Sequence, residues 1–260
     1  MRLRRLAVTG TVLLVGLGAC GGGDDLTADE RGDVALHGDG QIAVQQALLA
    51  VDQTMAIDST LDVAKTAVEN AQAIQQRAQE GGACVTASVT GATVIVDFGA
   101  SCDVRGTTIA GSMSLTVTKT GGTITVAVSF MDLVVDGEAL TGGVSLMTTG
   151  NGSYQVTLDL TSGDRSATGT LTVNGAPTTL TMSGSLATSQ GAASTSASAA
   201  DVVYVLGDCY PSGGTMTLSG GRLAGTIAFL PTTPMDGRVQ VSTERLTTTM
   251  ALPAYGSCPP

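Results

Sequence analysis

Histidine, cysteine and paired carboxylates are the side chains through which this 260-residue chain could do chemistry. His37 is its only histidine, and it lies in a Gly-rich acidic stretch ahead of the patterned part of the chain. A Ser-His-Asp or Cys-His nucleophile needs a histidine held inside the fold, and a zinc site built on imidazole needs the same. Carboxylates gather twice, as Asp132, Asp136 and Glu138 and as Asp159 and Asp164. Two carboxylates flanking a substrate can divide general-acid and general-base work, but both groups fall at expected turns, where solvated acids are ordinary. Asp136-Gly137-Glu138 lacks the ligand spacing of a calcium loop, and no Gly-rich phosphate loop stands between a strand and a helix. The residues thus point to no catalytic group, no metal and no cofactor, and the chain is expected to be non-enzymatic.

What remains is thiol chemistry, and it begins at the N-terminus, MRLRRLAVTGTVLLVGLGAC. Arg2, Arg4 and Arg5 precede an apolar stretch from Leu6 to Leu17 that only Thr9, Gly10, Thr11 and Gly16 interrupt. A permanent span needs about 20 apolar residues, so this shorter stretch with basic residues ahead of it reads as an export signal. Leu17-Gly18-Ala19-Cys20, followed by Gly21–Gly23, resembles the bacterial lipobox. The resemblance implies that residues 1–19 are a removable lipoprotein signal peptide. It further implies that the Cys20 thiol takes a diacylglyceryl group and that its freed amine takes an acyl chain. Two or more chains anchor a protein stably, at about 0.8 kcal/mol per buried CH₂, so the expected partner is a membrane, reached through N-terminal lipid. Gly21 occupies the position where Gram-negative lipoproteins retained at the inner membrane carry Asp, which implies the outer membrane instead.

Export places the remaining cysteines in an oxidising compartment, where an even number reads as disulfides. Cys84, Cys102, Cys209 and Cys258 allow three connectivities. Cys84–Cys102 with Cys209–Cys258 is preferred, because each pair brackets its own run of strands. The chain carries net charge −10. Removing the three signal arginines leaves nine basic against 22 acidic side chains, a balance of −13. Such a surface repels nucleic acid, which is therefore excluded as a partner. With no Trp, 3 Phe and 4 Tyr, the core must be aliphatic, and the aromatic platforms common in carbohydrate sites are scarce.

These residues need elements to hold them. Residues 20–40 are Gly-rich and acidic and read as a flexible tether. Over 41–82, Val44, Leu48, Val51 and Met55, then Leu61, Ala64, Val68, Ala71 and Ile74, recur at helical spacing. Two helices or one kinked helix are expected, with Asp58 or Ser59 able to cap the second and an end near Gly81-Gly82. Over 83–186 the period becomes two, as in Ile109-x-Gly111-x-Met113-x-Leu115-x-Val117 and Ile124-x-Val126-x-Val128-x-Phe130. Gly121-Gly122, Asn151-Gly152, Gly163-Asp164 and Asn174-Gly175 read as tight turns. Residues 187–200, ATSQGAASTSASAA, read as a low-complexity loop ahead of a second β region, 201–260.

A loose apolar–x–Gly–x–apolar unit recurs around Gly111, Gly169, Gly184 and Gly225, with Gly142 in a variant copy. Each regular copy puts Gly on the apolar face, so these glycines are expected to curve the sheet and to seat the helical segment. Thr-x-Thr pairs on the other face resemble the surface of some ice-binding proteins, but their irregular spacing argues against a flat lattice.

The expected fold is mainly β (α+β): a curved antiparallel β-meander sheet or partly closed barrel with an N-terminal helical segment packed on it. The expected role is that of a lipid-anchored envelope protein, structural or interaction-mediating. The alternative is a carrier of lipid or another apolar ligand in a curved-sheet cavity; this rests on likeness to half-barrel lipid-shuttling lipoproteins.

Overall fold

The computed structural model describes residues 26–28, 30 and 32 and, from 61 to 252, all but 105–106, 136, 177–178, 206–209 and 222. Helix α1 (Ala67–Gln79) is followed by β1 (Thr86–Thr90), β2 (Thr93–Val104), β3 (Thr107–Thr120), β4 (Thr123–Val135) and β5 (Glu138–Thr148). Then come β6 (Ser153–Ser162), β7 (Arg165–Ala176), β8 (Thr179–Gln190), β9 (Ala193–Val205), β10 (Gly213–Ser219) and β11 (Gly225–Phe229). A single turn, α2 (Thr233–Asp236), leads to β12 (Arg238–Thr243) and β13 (Thr247–Ala251). All thirteen strands form one antiparallel sheet in chain order, β1 to β13. The end strands do not pair with each other, so the sheet is not closed.

Side-chain alternation explains why the strands form and which way they face. In β4, Ile124, Val126, Val128 and Phe130 are buried while Ala127 and Ser129 are exposed. One inner face accumulates Val, Leu, Ile and Met from strand to strand, and Thr and Ser take the outer one.

The alternation breaks at defined points. Phe130 and Leu133 both point inward although three residues apart, and the pairing of β4 slips between Ser129 and Leu133. Asp132 absorbs the extra residue at φ 51°. In β9, Ala197 and Val202 are likewise both buried, and Asp201 sits between them at φ 50°. These are β-bulges, which bend a strand and steepen its twist, and aspartate is among the few non-glycine residues that tolerate the left-handed region. Asp132 was expected at a turn beside Asp136 and Glu138; it is a mid-strand bulge instead.

The glycines answer the bulges. A Cβ on Gly111 would lie 2.1 Å from the Asp132 carbonyl oxygen, and one on Gly214 would lie 2.2 Å from that of Asp201. At Gly169, Gly184 and Gly225 the nearest atom is again a neighbouring strand's carbonyl oxygen, at 2.3, 2.2 and 2.6 Å. Close approach of neighbouring strands is thus what these glycines permit. The helix packs over β1–β3, so Gly169, Gly184 and Gly225 in β7, β8 and β11 do not seat it.

Residues 187–200 are not a loop. They form the end of β8 and the start of β9, joined by a two-residue turn at Gly191-Ala192 and paired from Gln190↔Ala193 to Gly184↔Ala199. Small polar residues alternate there as regularly as larger ones do elsewhere, and inter-strand hydrogen bonds do not depend on side-chain size. The same stretch does divide the core. One apolar cluster runs from α1 to Leu186, and the other gathers Ala197, Val202, Met216, Leu218, Ile227, Val239 and Val241. Asn174-Gly175, expected as a turn, lies inside β7 and pairs with Thr181 and Leu180.

The helix is shorter than the expected segment. Residues 41–60, with Asp58 and Ser59, lie outside the described residues. Leu61 and Ala64 precede α1, and Val68 is on its exposed side. The cap is Thr66: its hydroxyl accepts from the Glu69 amide at 3.2 Å, and the Glu69 carboxylate accepts from the Thr66 amide at 2.7 Å, a capping box. The Thr66 amide and hydroxyl, both donating to the Glu69 carboxylate, hold its carboxyl below the usual glutamate value. Ala71, Ile74 and Ala78 turn toward the sheet and pack over β1–β3. Buried Asn70 closes the approach, accepting from the Asp62 amide at 2.8 Å and donating to its carbonyl at 3.0 Å. Thr66→Ala removes the hydroxyl from this cap and is expected to lower unfolding stability by about 1 kcal/mol, read as a shift in urea midpoint at unchanged slope.

Candidate functional site

Bringing the strands into register places the chemistry-bearing residues apart. Glu138 opens β5, Asp159 is exposed in mid-β6 opposite Thr168, and Asp164 sits in the β6–β7 turn. Asp136 lies outside the described residues, as do Cys20, His37, Cys209 and Cys258. No group of three or more His, Cys, Asp or Glu side chains is placed to hold a metal among the described residues. Cys84 and Cys102 are bonded, with Cα atoms 5.6 Å apart, and tie the chain just before β1 to the buried end of β2.

What register does assemble is a row of hydroxyls. Starting at Thr90 and passing strand by strand on the outer face, the partners are Thr93, Thr116, Ala127, Ser145, Thr157 and Thr170. They continue through Ser185, Ser198, Thr217, Thr226 and Ser242 to Thr247. Twelve of these thirteen positions carry a hydroxyl, Ala127 excepted, and none carries a charge. Adjacent strands are about 4.8 Å apart, so the hydroxyls repeat at roughly that interval. Thr93 and Thr116 meet oxygen to oxygen at 3.2 Å, as do Ser242 and Thr247. Unequal turns and bulges hide this row in the sequence, where its members are irregularly spaced. Bulges bend and twist their strands, which works against a flat lattice.

The inner face holds an opposite feature. Thr188 and Thr195 pair across β8 and β9 and are buried, and neither hydroxyl has a hydrogen-bond partner among the described residues. They stand where the two apolar clusters part: Thr188 is opposite Ala167 and two residues from Leu186, and Thr195 is two residues from Ala197. A buried hydroxyl without a partner is destabilising. Replacing either threonine with valine is therefore expected to raise stability by about 1 kcal/mol, read from the denaturant midpoint of each variant.

A third feature joins the chain's two ends. Leu26 is 4% exposed and belongs to the second apolar cluster. Glu30 pairs with Arg245, which lies between β12 and β13. Thr27 and Glu30 repeat the reciprocal bonding of Thr66 and Glu69: the Thr27 amide donates to Glu30 Oε2 at 2.7 Å, and the Glu30 amide donates to Thr27 Oγ1 at 3.2 Å. Residues 20–40 were expected to be a flexible tether, yet at Leu26, Thr27 and Glu30 the chain is packed and bonded. The signal was available as the spacing Thr27-x-x-Glu30, overlooked because the stretch is acidic and Gly-rich.

Hydrogen bonds from Thr27, then Arg245, hold the Glu30 carboxyl below the usual glutamate value of 4.5. With a lowered folded value, the contact contributes stability that is present above the ordinary glutamate range and lost as pH falls through the folded value. Amide exchange at Thr27 and Glu30 is accordingly expected to accelerate, after correction for intrinsic rates, as pH is lowered from 6 to about 3. Unchanged protection would exclude a contribution from this pair.

Comparison with protein-family models, with curated proteins and with solved structures finds no match for this chain.

Proposed function

We propose that the chain is a lipid-anchored cell-envelope protein, non-enzymatic, held by acylated Cys20 and acting through its folded sheet as a structural or interaction-mediating element. The observation that carries the structural part is the filled interior of the first apolar cluster, on which α1 packs. Ala71, Ile74, Met113, Leu115, Ile124 and Leu133 are all 0% exposed, and they join Val94 and Val96 in one cluster. A carrier needs apolar volume that its own side chains leave unfilled; here aliphatic side chains occupy the ground between helix and strands. The anchor and the outer-membrane location rest on the lipobox resemblance at Leu17–Cys20. Among the described residues no helix is long and apolar enough to cross a membrane.

Intact-mass analysis of the full chain purified from bacterial membranes tests this. The expected mass is that of residues 20–260 plus a diacylglyceryl group and one acyl chain, with no further lipid released by solvent extraction. Release of the Cys20→Ser variant from the membrane fraction completes the result. An unlipidated, uncleaved chain would refute the anchor.

One observation favours the carrier reading. The orphaned hydroxyls of Thr188 and Thr195 face the interior where the clusters part, and a ligand's polar group could satisfy them. A stoichiometric extractable lipid, lost in Thr188→Val/Thr195→Val, would favour the carrier over the structural element.

A further inference from the structure

We infer that the β12–β13 turn is the end of the protein that faces the lipid surface. The inference rests on the proposed anchor at Cys20 and concerns how closely that anchor positions the fold. A tether running to residue 40 would leave the sheet free to take any orientation. The packed residues do not permit that freedom. Leu26 is buried in the cluster built by β9–β13, and Glu30 is paired with Arg245 at the β12–β13 turn. Six residue steps separate Cys20 from Leu26, and at full extension they span about 20 Å. The lipidated residue therefore cannot lie farther than that from the second cluster, whatever path the chain takes.

The meander fixes which parts lie at the opposite end. Turns alternate between the two ends of an antiparallel sheet, so the turn after even-numbered β12 and the turn after odd-numbered β3 are on opposite ends. Glu244 is exposed at the first and Thr120 at the second. The buried leucine and the ion pair act together as a clip: one anchors by apolar packing, the other by a charge-assisted bond.

The test uses the full lipidated protein on phosphatidylcholine vesicles, which are uncharged, so that the chain's negative balance does not set its orientation. A fluorophore is attached in turn to Glu244→Cys and Thr120→Cys, and quenching by headgroup spin labels in the vesicle is compared. Quenching at position 244 is expected to be several-fold stronger than at 120. Adding Leu26→Asp and Glu30→Gln, which open the clip without touching Cys20, is expected to bring the two positions toward equality while the protein stays bound. Equal or reversed quenching in a lipid-bearing protein with the clip intact overturns the placement and leaves the anchor standing. A difference that persists after the clip is opened overturns the clip as its cause. A chain that carries no lipid at Cys20 overturns both, and mass analysis of the same sample distinguishes that case.

Discussion

Gly111→Ala is expected to destabilise the protein by about 3 kcal/mol or more, through strain and a backbone clash together. Gly111 has φ 84°, and its Cβ would fall 2.1 Å from the carbonyl oxygen of Asp132 and 2.6 Å from its carbonyl carbon. Both are main-chain atoms of the adjacent strand, held by pairing on each side of the bulge, so no side-chain rotation relieves the contact. Gly163→Ala is the control. Gly163 has φ 61° in the β6–β7 turn, with nothing within 4 Å of an added Cβ. Left-handed strain alone applies there, about 1–2 kcal/mol. Urea unfolding of the two variants compares the effects directly. Equal losses would mean that close strand approach at the bulge contributes nothing beyond conformational strain. A Cβ on Gly142 would fall 2.0 Å from the Asp159 carbonyl oxygen, so Gly142→Ala should behave like Gly111→Ala.

Replacing Cys84 and Cys102 together by alanine is expected to cost about 3 kcal/mol, from the loop-closure entropy of an 18-residue separation. For a domain of this size that corresponds to roughly 6–12 °C in Tm. The effect should also be local. β1 is a five-residue edge strand, and the disulfide ties the chain immediately before it to β2. Edge strands lack a partner on one side, so without the bond the amides of β1 should exchange faster while those of β4 to β7 change little. A Tm loss with uniform exchange across the sheet would show instead that the bond acts only on the unfolded chain.

Much of this molecule was legible because side-chain alternation is a local property. The buried rows of β3, β4 and β6, the turns at Gly121-Gly122, Asn151-Gly152 and Gly163-Asp164, and the strand face of Gly111, Gly169, Gly184 and Gly225 all follow from period two and turn chemistry. The Cys84–Cys102 pairing was favoured for a similar reason, since the two cysteines bracket one short run. The capping boxes at Thr27-x-x-Glu30 and Thr66-x-x-Glu69 were equally local and could have been found.

What stayed hidden is non-local. Residues 187–200 carry no apolar alternation, so hydrophobic patterning is silent there; the stretch becomes strand because backbone pairing with β7 and β10 completes it. The hydroxyl row depends on the register of twelve strand pairings, and a one-residue bulge shifts every later partner. Nothing local announces that Asp132 and Asp201 are the bulged residues. That Leu26 packs with strands some 170 to 220 residues later is likewise a fact of assembly.

The sequence by itself thus determined a mainly antiparallel sheet with one apolar face, glycines where strands crowd, and a chain poor in catalytic groups. The tertiary structure alone decided that the sheet is single and open, that its core divides at β8–β9, and which hydroxyls align. The physical reason is one of range. Alternation and capping are set within a few residues, whereas register, bulge placement and end-to-end packing are set by partners that only the folded chain brings together.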